Sequence, residues 1–163
     1  MLLWQAARHE AEQIRQVLTP GGKGLEGLVQ IANMLGAKVM VTHLQDDVSG
    51  LVLKEERDMP EIFINALEPP QRQRFTLAHE IGHLVERANF ANDEEYSFID
   101  YRGKGEYTLH EFFADEFAGE LLMPADEFHS VMETGGEYLA ATHFGVSVPA
   151  VRKRRDRLKK NPA

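Results

Sequence analysis

The chain has no cysteine among its 163 residues. That absence excludes disulfides, cysteine-ligated zinc and thiol nucleophiles together. No apolar run approaches a bilayer span, and Leu2-Leu3-Trp4 gives way at once to polar positions. The sequence therefore predicts neither a transmembrane helix nor a signal peptide, and the cytoplasm is the expected location. Positive charge is scarce outside one segment. The formal net charge is −8, and Arg152 to Lys160 holds seven basic residues against Asp156, a local +6 that leaves −14 for the rest. So acidic a body is a poor non-specific binder of nucleic acid over most of its surface. Phosphate-loop chemistry is missing too. Gly21-Gly22-Lys23-Gly24 follows no strand and has no Ser or Thr after its lysine, so it reads as a turn.

What is present centres on His79-Glu80-Ile81-Gly82-His83, an HExxH pattern on a predicted helix. Residues four apart lie about one turn along a helix and nearly on the same face, so both imidazoles can reach one cation. Glu80 then stands beside the metal without ligating it, placed as a general base for a water that the metal has acidified. The competing reading is a polar, solvated helix face. Phe75, Ala78, Ile81, Leu84 and Val85 oppose it, because they form an apolar stripe at helical spacing and press this helix on a core. Part-buried histidines and a carboxylate need partners, and a cation provides them.

The third ligand is not where the metzincins carry it, since Glu86 and Asn89 occupy the glycine and histidine positions of HExxHxxGxxH. A second helix offers another solution. Glu111 and Asp115 are again four apart, with Phe112, Phe113, Phe117, Leu121 and Leu122 anchoring the segment. Glu111 would complete a His2Glu zinc site with His79 and His83, and Asp115 would accept the remaining ring N–H of a ligating histidine. The alternative is that Glu111 is an ordinary surface residue.

These residues resemble a known family. Arg72 to His83, followed by Glu111 to Asp115 running into Phe117-Ala118-Gly119-Glu120-Leu121-Leu122-Met123-Pro124, is similar to the ImmA/IrrE family of metallopeptidases over roughly Leu25 to Leu158. The family usually has a longer alanine-rich run before its LLMP, where Phe112, Phe113 and Gly119 stand here; the difference touches packing and leaves the ligand positions intact. The resemblance implies Zn²⁺ held by His79, His83 and Glu111, with Glu80 as general base and Asp115 supporting the ligands. It also implies endopeptidase activity on a partner protein, a cognate helix-turn-helix transcriptional repressor in the family's characterised members.

Along the chain, Trp4, Ala7, Ala11, Ile14 and Leu18 predict a first helix ended by Thr19-Pro20-Gly21-Gly22, and Leu25 to Leu35 a second stopped by Gly36. Three short strands follow at Lys38–Leu44, Gly50–Lys54 and Glu61–Asn65, and Pro69-Pro70 opens the histidine helix. Asn89 to Thr108 shows no periodicity and reads as a functional loop. Its Tyr96, Tyr101, Arg102 and Tyr107, with His110 just beyond, are candidate contributors to the site. Tyr107 and His110 lie nearest Glu111 and are candidate oxyanion donors, with simple packing of the loop an equal alternative. Leu139 to Val151 has helix-turn-helix spacing, with Ser147 as N-cap of a basic helix whose Arg152, Arg154 and Arg155 can reach phosphates. In the resembled family a similar ending closes the fold, so packing or partner recognition is the reading adopted, with DNA contact through residues 146–160 as the alternative.

The fold expected is a single α+β domain over 1–163. It comprises N-terminal helices (1–36), a small antiparallel three-stranded sheet on helices around the zinc site (37–124), zincin-like, and a helix-turn-helix-like ending (125–163). One edge strand should border the zinc cleft and pair with an extended substrate segment. Two rival functions share these features: a DNA-binding regulator with a structural or vestigial metal site, and a peptidase toxin restrained by an antitoxin. Glu80 separates the first rival from the peptidase, because a structural zinc site has no use for an unligated carboxylate.

Overall fold

The computed structural model describes residues 1–18, 22–91, 93–103 and 105–163. The expected end of the first helix at Thr19-Pro20-Gly21, and the first glycine of the turn that follows, lie outside them. Among the described residues, six helices and four strands run in the order α1 (Leu3–Val17), α2 (Glu26–Met34), β1 (Lys38–Thr42), β2 (Val48–Lys54), β3 (Glu61–Asn65), α3 (Pro70–Glu86), β4 (Tyr96–Tyr101), α4 (Leu109–Leu122), α5 (Ala125–Phe144) and α6 (Val148–Lys160). A π-helical turn, Arg87–Ala91, prolongs α3.

The expected three-stranded antiparallel sheet is corrected on two counts. The sheet has four strands in the order β1-β3-β2-β4, and β1 runs parallel to β3 while the other pairs are antiparallel. β3 shares the interior of the sheet with β2: both its edges are paired, and Ile62 and Ile64 are wholly buried. β1 is left at the rim, where its side chains are mostly exposed. The fourth strand falls inside the segment that lacks obvious periodicity. Its inward face is Tyr96, Phe98 and Asp100, and the acid in third place hides an alternation that is there.

Helices α3 and α4 form the centre of the molecule. α3 starts with Pro70 in its first turn, where a missing N–H costs nothing, and packs on β2 and β3. α4 is capped by Thr108, whose hydroxyl accepts from Glu111 N at 3.3 Å. The cap places Glu111 in the first turn of α4. Behind it Phe113, Phe117, Leu121 and Met123 are sealed into a core shared with Leu77, Ile81, Leu28 and Ile31. The two helices approach closely because position 82 is glycine: a Cβ there would sit 2.9 Å from Ala114 Cα and 3.1 Å from its carbonyl oxygen.

α5 is broken at Gly136, whose φ of 74° and ψ of −162° no helix contains. Gly145, in the left-handed region, ends it, and Ser147 caps α6 by accepting from Ala150 N at 3.2 Å. Val151, Arg154 and Leu158 form the buried stripe of α6. The alternative in which Arg154 reaches phosphates is thereby corrected, while the adopted reading of packing holds at this residue. Arg154 is 1% exposed, pairs with Glu120 and donates to Met123 O at 3.0 Å. Arg152 remains at the surface, bound to Glu137 in two hydrogen bonds of 2.9 and 2.7 Å. No helix among the described residues is long and apolar enough to cross a membrane.

Candidate metal centre

His79 and His83 lie one turn apart on the face of α3 that meets α4, and Glu111 reaches them from the start of α4. His79 Nε2 is 3.0 Å from Glu111 Oε2, and His83 Nε2 is 3.1 Å from Glu111 Oε1. The structure thus brings the three expected ligands together from two helices, with one donor atom of each within 4.8 Å of the others. The histidines are nearly inaccessible, at 4% and 1% exposure, whereas Glu111 borders solvent.

His79 Nδ1 is 2.8 Å from Asp115 Oδ1. A carboxylate accepts, so the proton belongs on Nδ1 and leaves Nε2 as a lone-pair donor aimed at Glu111 and His83. Although close to Glu111, His79 Nε2 makes no hydrogen bond of sound geometry, and His83 Nδ1 is also buried without a partner. Two buried imidazoles and a carboxylate that converge on a shared point are a donor set that could hold a divalent cation. His83 is also stacked on Phe98 of β4, with ring centroids 4.3 Å apart and planes 6° from parallel.

Electrostatics follow from burial and from this crowding. Burial disfavours the imidazolium of His79, yet Asp115 and Glu111 outweigh it and raise the group well above the ordinary imidazole range. Burial prevails at His83 and lowers it. Burial raises Glu111, but the two imidazoles more than reverse this and hold its carboxyl below the usual range. Glu80 is driven far up by burial, with His79 opposing. It is completely inaccessible, and neither carboxylate oxygen has a hydrogen-bond partner.

A cavity of about 510 Å³ opens on the centre, lined by His79, Glu111 and Asp115, by Ile99, Asp100 and Tyr101 of β4, and by the first turns of α6. The expected edge strand is therefore present at the cleft, but it is β4. Of the candidate contributors from the connecting segment, Tyr101 and Tyr107 line the cavity, and Tyr107 donates to Asp115 Oδ2 at 2.8 Å. Burial and Asp115 push the Tyr107 phenol up to about 12. His110 is turned elsewhere, to Glu86 at 2.8 Å and Arg87 at 3.1 Å. Arg102 is held by Glu68 at 2.7 Å, and Tyr96 packs against the core behind Phe98.

Three neighbours were not anticipated. Asp100 has a carboxylate oxygen within 4.8 Å of donor atoms of His79 and Glu80, and burial raises it with His79 and Arg72 opposing. Phe98 buttresses His83. Arg157 donates to Asp115 Oδ2 at 3.1 Å, to Glu116 Oε1 at 3.0 Å and to the Tyr107 hydroxyl. The period-two face Tyr96, Phe98, Asp100 carried a signal for the first two. For Arg157, an arginine one helical turn beyond the core position Arg154 was the sign that the basic helix turns part of its charge inward.

The radiation response metalloprotease IrrE of Deinococcus radiodurans is 36% identical over 77 residues, which is 46% of this chain and 23% of that protein. A solved Mycobacterium tuberculosis transcriptional regulator superposes with a TM-score of 0.67 over 98% of this chain at 21% identity, a likeness of fold alone. The chain spans 48% of that relative's length. The model of the IrrE N-terminal-like domain, peptidase family M78, matches residues 32–155, which contain both metal-site helices and most of α6. The chain belongs to this metallopeptidase family.

Proposed function

We propose that residues 1–163 form a single zinc-dependent endopeptidase domain that acts in the cytoplasm on a partner protein, with a cognate helix-turn-helix repressor as the target that family likeness favours. The observation that carries this reading is Glu80: wholly buried, both oxygens without partners, and next in sequence to His79. A carboxylate costs several kcal/mol to bury in this way, and a purely structural cation would gain nothing from it. A zinc ion held by His79, His83 and Glu111 would supply Lewis acidity toward a carbonyl and toward water.

The remaining chemistry rests on the chain's own groups. Glu80 takes a proton from the attacking water as its oxygen bonds to the carbonyl carbon, then returns that proton to the amine nitrogen as the C–N bond breaks. Asp115 keeps His79 in the Nδ1–H tautomer throughout. Among the described residues β4 pairs only with β2, so its outer edge is open for an extended segment to join by main-chain hydrogen bonds. A substrate bound in this way must be able to extend, which favours a linker or flexible loop as the point of cleavage.

The test separates chemistry from binding. Glu80→Gln should keep one zinc per chain and its fold, and lose at least about a hundredfold in cleavage. Proteins that co-purify with Glu80→Gln supply the substrate for the assay. Equal cleavage by Glu80→Gln and the parent would overturn the mechanism.

A further inference from the structure

The basic helix α6 is built into the metal centre, and we infer that Arg157 is a positioning residue that acts on the ligand His79 through Asp115. The inference rests on the metallopeptidase reading above and concerns how its site is held. Asp115 has two oxygens with separate duties. Oδ1 accepts from His79 Nδ1 at 2.8 Å, while Oδ2 accepts from Arg157 at 3.1 Å and from the Tyr107 hydroxyl at 2.8 Å. With Oδ2 fixed by two donors, the carboxylate plane cannot rotate, and Oδ1 stays directed at the imidazole.

The guanidinium is itself locked. Its other arm donates to Glu116 Oε1 at 3.0 Å, so one planar fork bridges the adjacent side chains Asp115 and Glu116 of α4. Glu116 is fully buried and is held from the far side by Arg8 of α1 at 3.0 Å. Phe112 and Tyr107 flank the guanidinium with their rings, 5.4 and 5.9 Å from its central carbon. A lysine in place of Arg157 would offer a point charge without the fork. The family resemblance assigns this helix to closing the fold; its contacts give it a share in setting the ligand geometry.

The experiment is a metal-affinity cycle, read without any substrate. Zn²⁺ dissociation constants, and the visible spectrum of the Co²⁺ form, are measured for the parent, Arg157→Met, Asp115→Asn and the double variant, with Arg157→Lys as a variant that keeps charge and volume. Loss of a partner that orients a metal ligand typically costs 10- to 100-fold in affinity. Arg157→Met should therefore weaken Zn²⁺ about tenfold and alter the Co²⁺ spectrum, Arg157→Lys should restore less than half of that loss on a logarithmic scale, and Arg157→Met should cost nothing further once Asp115 is Asn. An equal loss in both backgrounds would mean that Arg157 serves the fold alone, and the inference would fall. It would also fall if Asp115→Asn weakened the metal while both Arg157 variants did not. A parent that binds no Zn²⁺, or binds it undiminished after His83→Ala, would instead overturn the metal site itself and the inference with it.

Discussion

Replacing Gly82 with alanine sets two effects of opposite sign against each other. Alanine in a helix interior is favoured over glycine by about 1 kcal/mol. Here the added methyl would meet Ala114 Cα at 2.9 Å, Ala114 O at 3.1 Å and the Phe117 ring at 3.2 Å. Two of those atoms are backbone and cannot rotate away. Carbon atoms rest at about 3.5–4.0 Å, so α3 and α4 must separate by roughly 0.6–1 Å at this point. Overpacking of this kind costs about 1–3 kcal/mol, which leaves Gly82→Ala about 1 kcal/mol less stable after the propensity gain. For a chain of this length that is a fall of about 2–4 °C in Tm by calorimetry. The same separation draws Glu111 away from His79 and His83, so Zn²⁺ affinity should drop by at least about tenfold, the scale seen when ligand orientation is disturbed. A Tm that rises by 2–4 °C or so with unchanged Zn²⁺ affinity would show propensity winning unopposed, and the close approach of the helices would then be no constraint on the site.

Further outcomes are expected. Protein purified without added metal should hold about one zinc per chain by elemental analysis, and full retention by a His83→Ala, Glu111→Ala double variant would sink the ligand assignment. Arg154→Met leaves Glu120 buried without its cation and should cost about 3–5 kcal/mol, a fall in Tm of at least roughly 6 °C, whereas Lys159→Ala on the exposed side of α6 should stay within about 0.5 kcal/mol.

The parts legible in the sequence were those where one period dominates. α1 was marked by its apolar spacing, and α3 and α4 by apolar residues on both sides of the histidines and of Glu111. The pairing of β1 with β3 was illegible because strand order depends on which strand becomes central. Both interior strands, β2 with Val52 and β3 with Ile62 and Ile64, are buried where the sheet meets α3, a tertiary effect. β4 was missed because Asp100 stands where an apolar residue would complete the alternation, and that departure is what brings an acid beside Glu80. The inward turn of two arginines of the basic helix was hidden for a related reason. Seven cations in one run do not show which of them meet an acid: Arg154 sits on the same stripe as Val151 and Leu158, and it is buried acids on α4, Glu116 and Glu120, that draw Arg157 and Arg154 inward.

The shared carboxylate of Glu116 has a meaning for the order in which the molecule matures. Arg8 comes 108 residues before it and Arg157 41 residues after it, and both must arrive for its two oxygens to be neutralised. During synthesis, α3 and α4 leave the ribosome before α6, with His79, His83 and Glu111, the proposed metal ligands, already present. Until α6 has emerged and docked, Glu116 has Arg8 alone to pair with, and the neighbouring Asp115 lacks Arg157. Closure of the framework is thus deferred to the last stretch of chain, and a polypeptide cut short before Arg157 carries the proposed ligands without the contacts that hold Asp115 and Glu116.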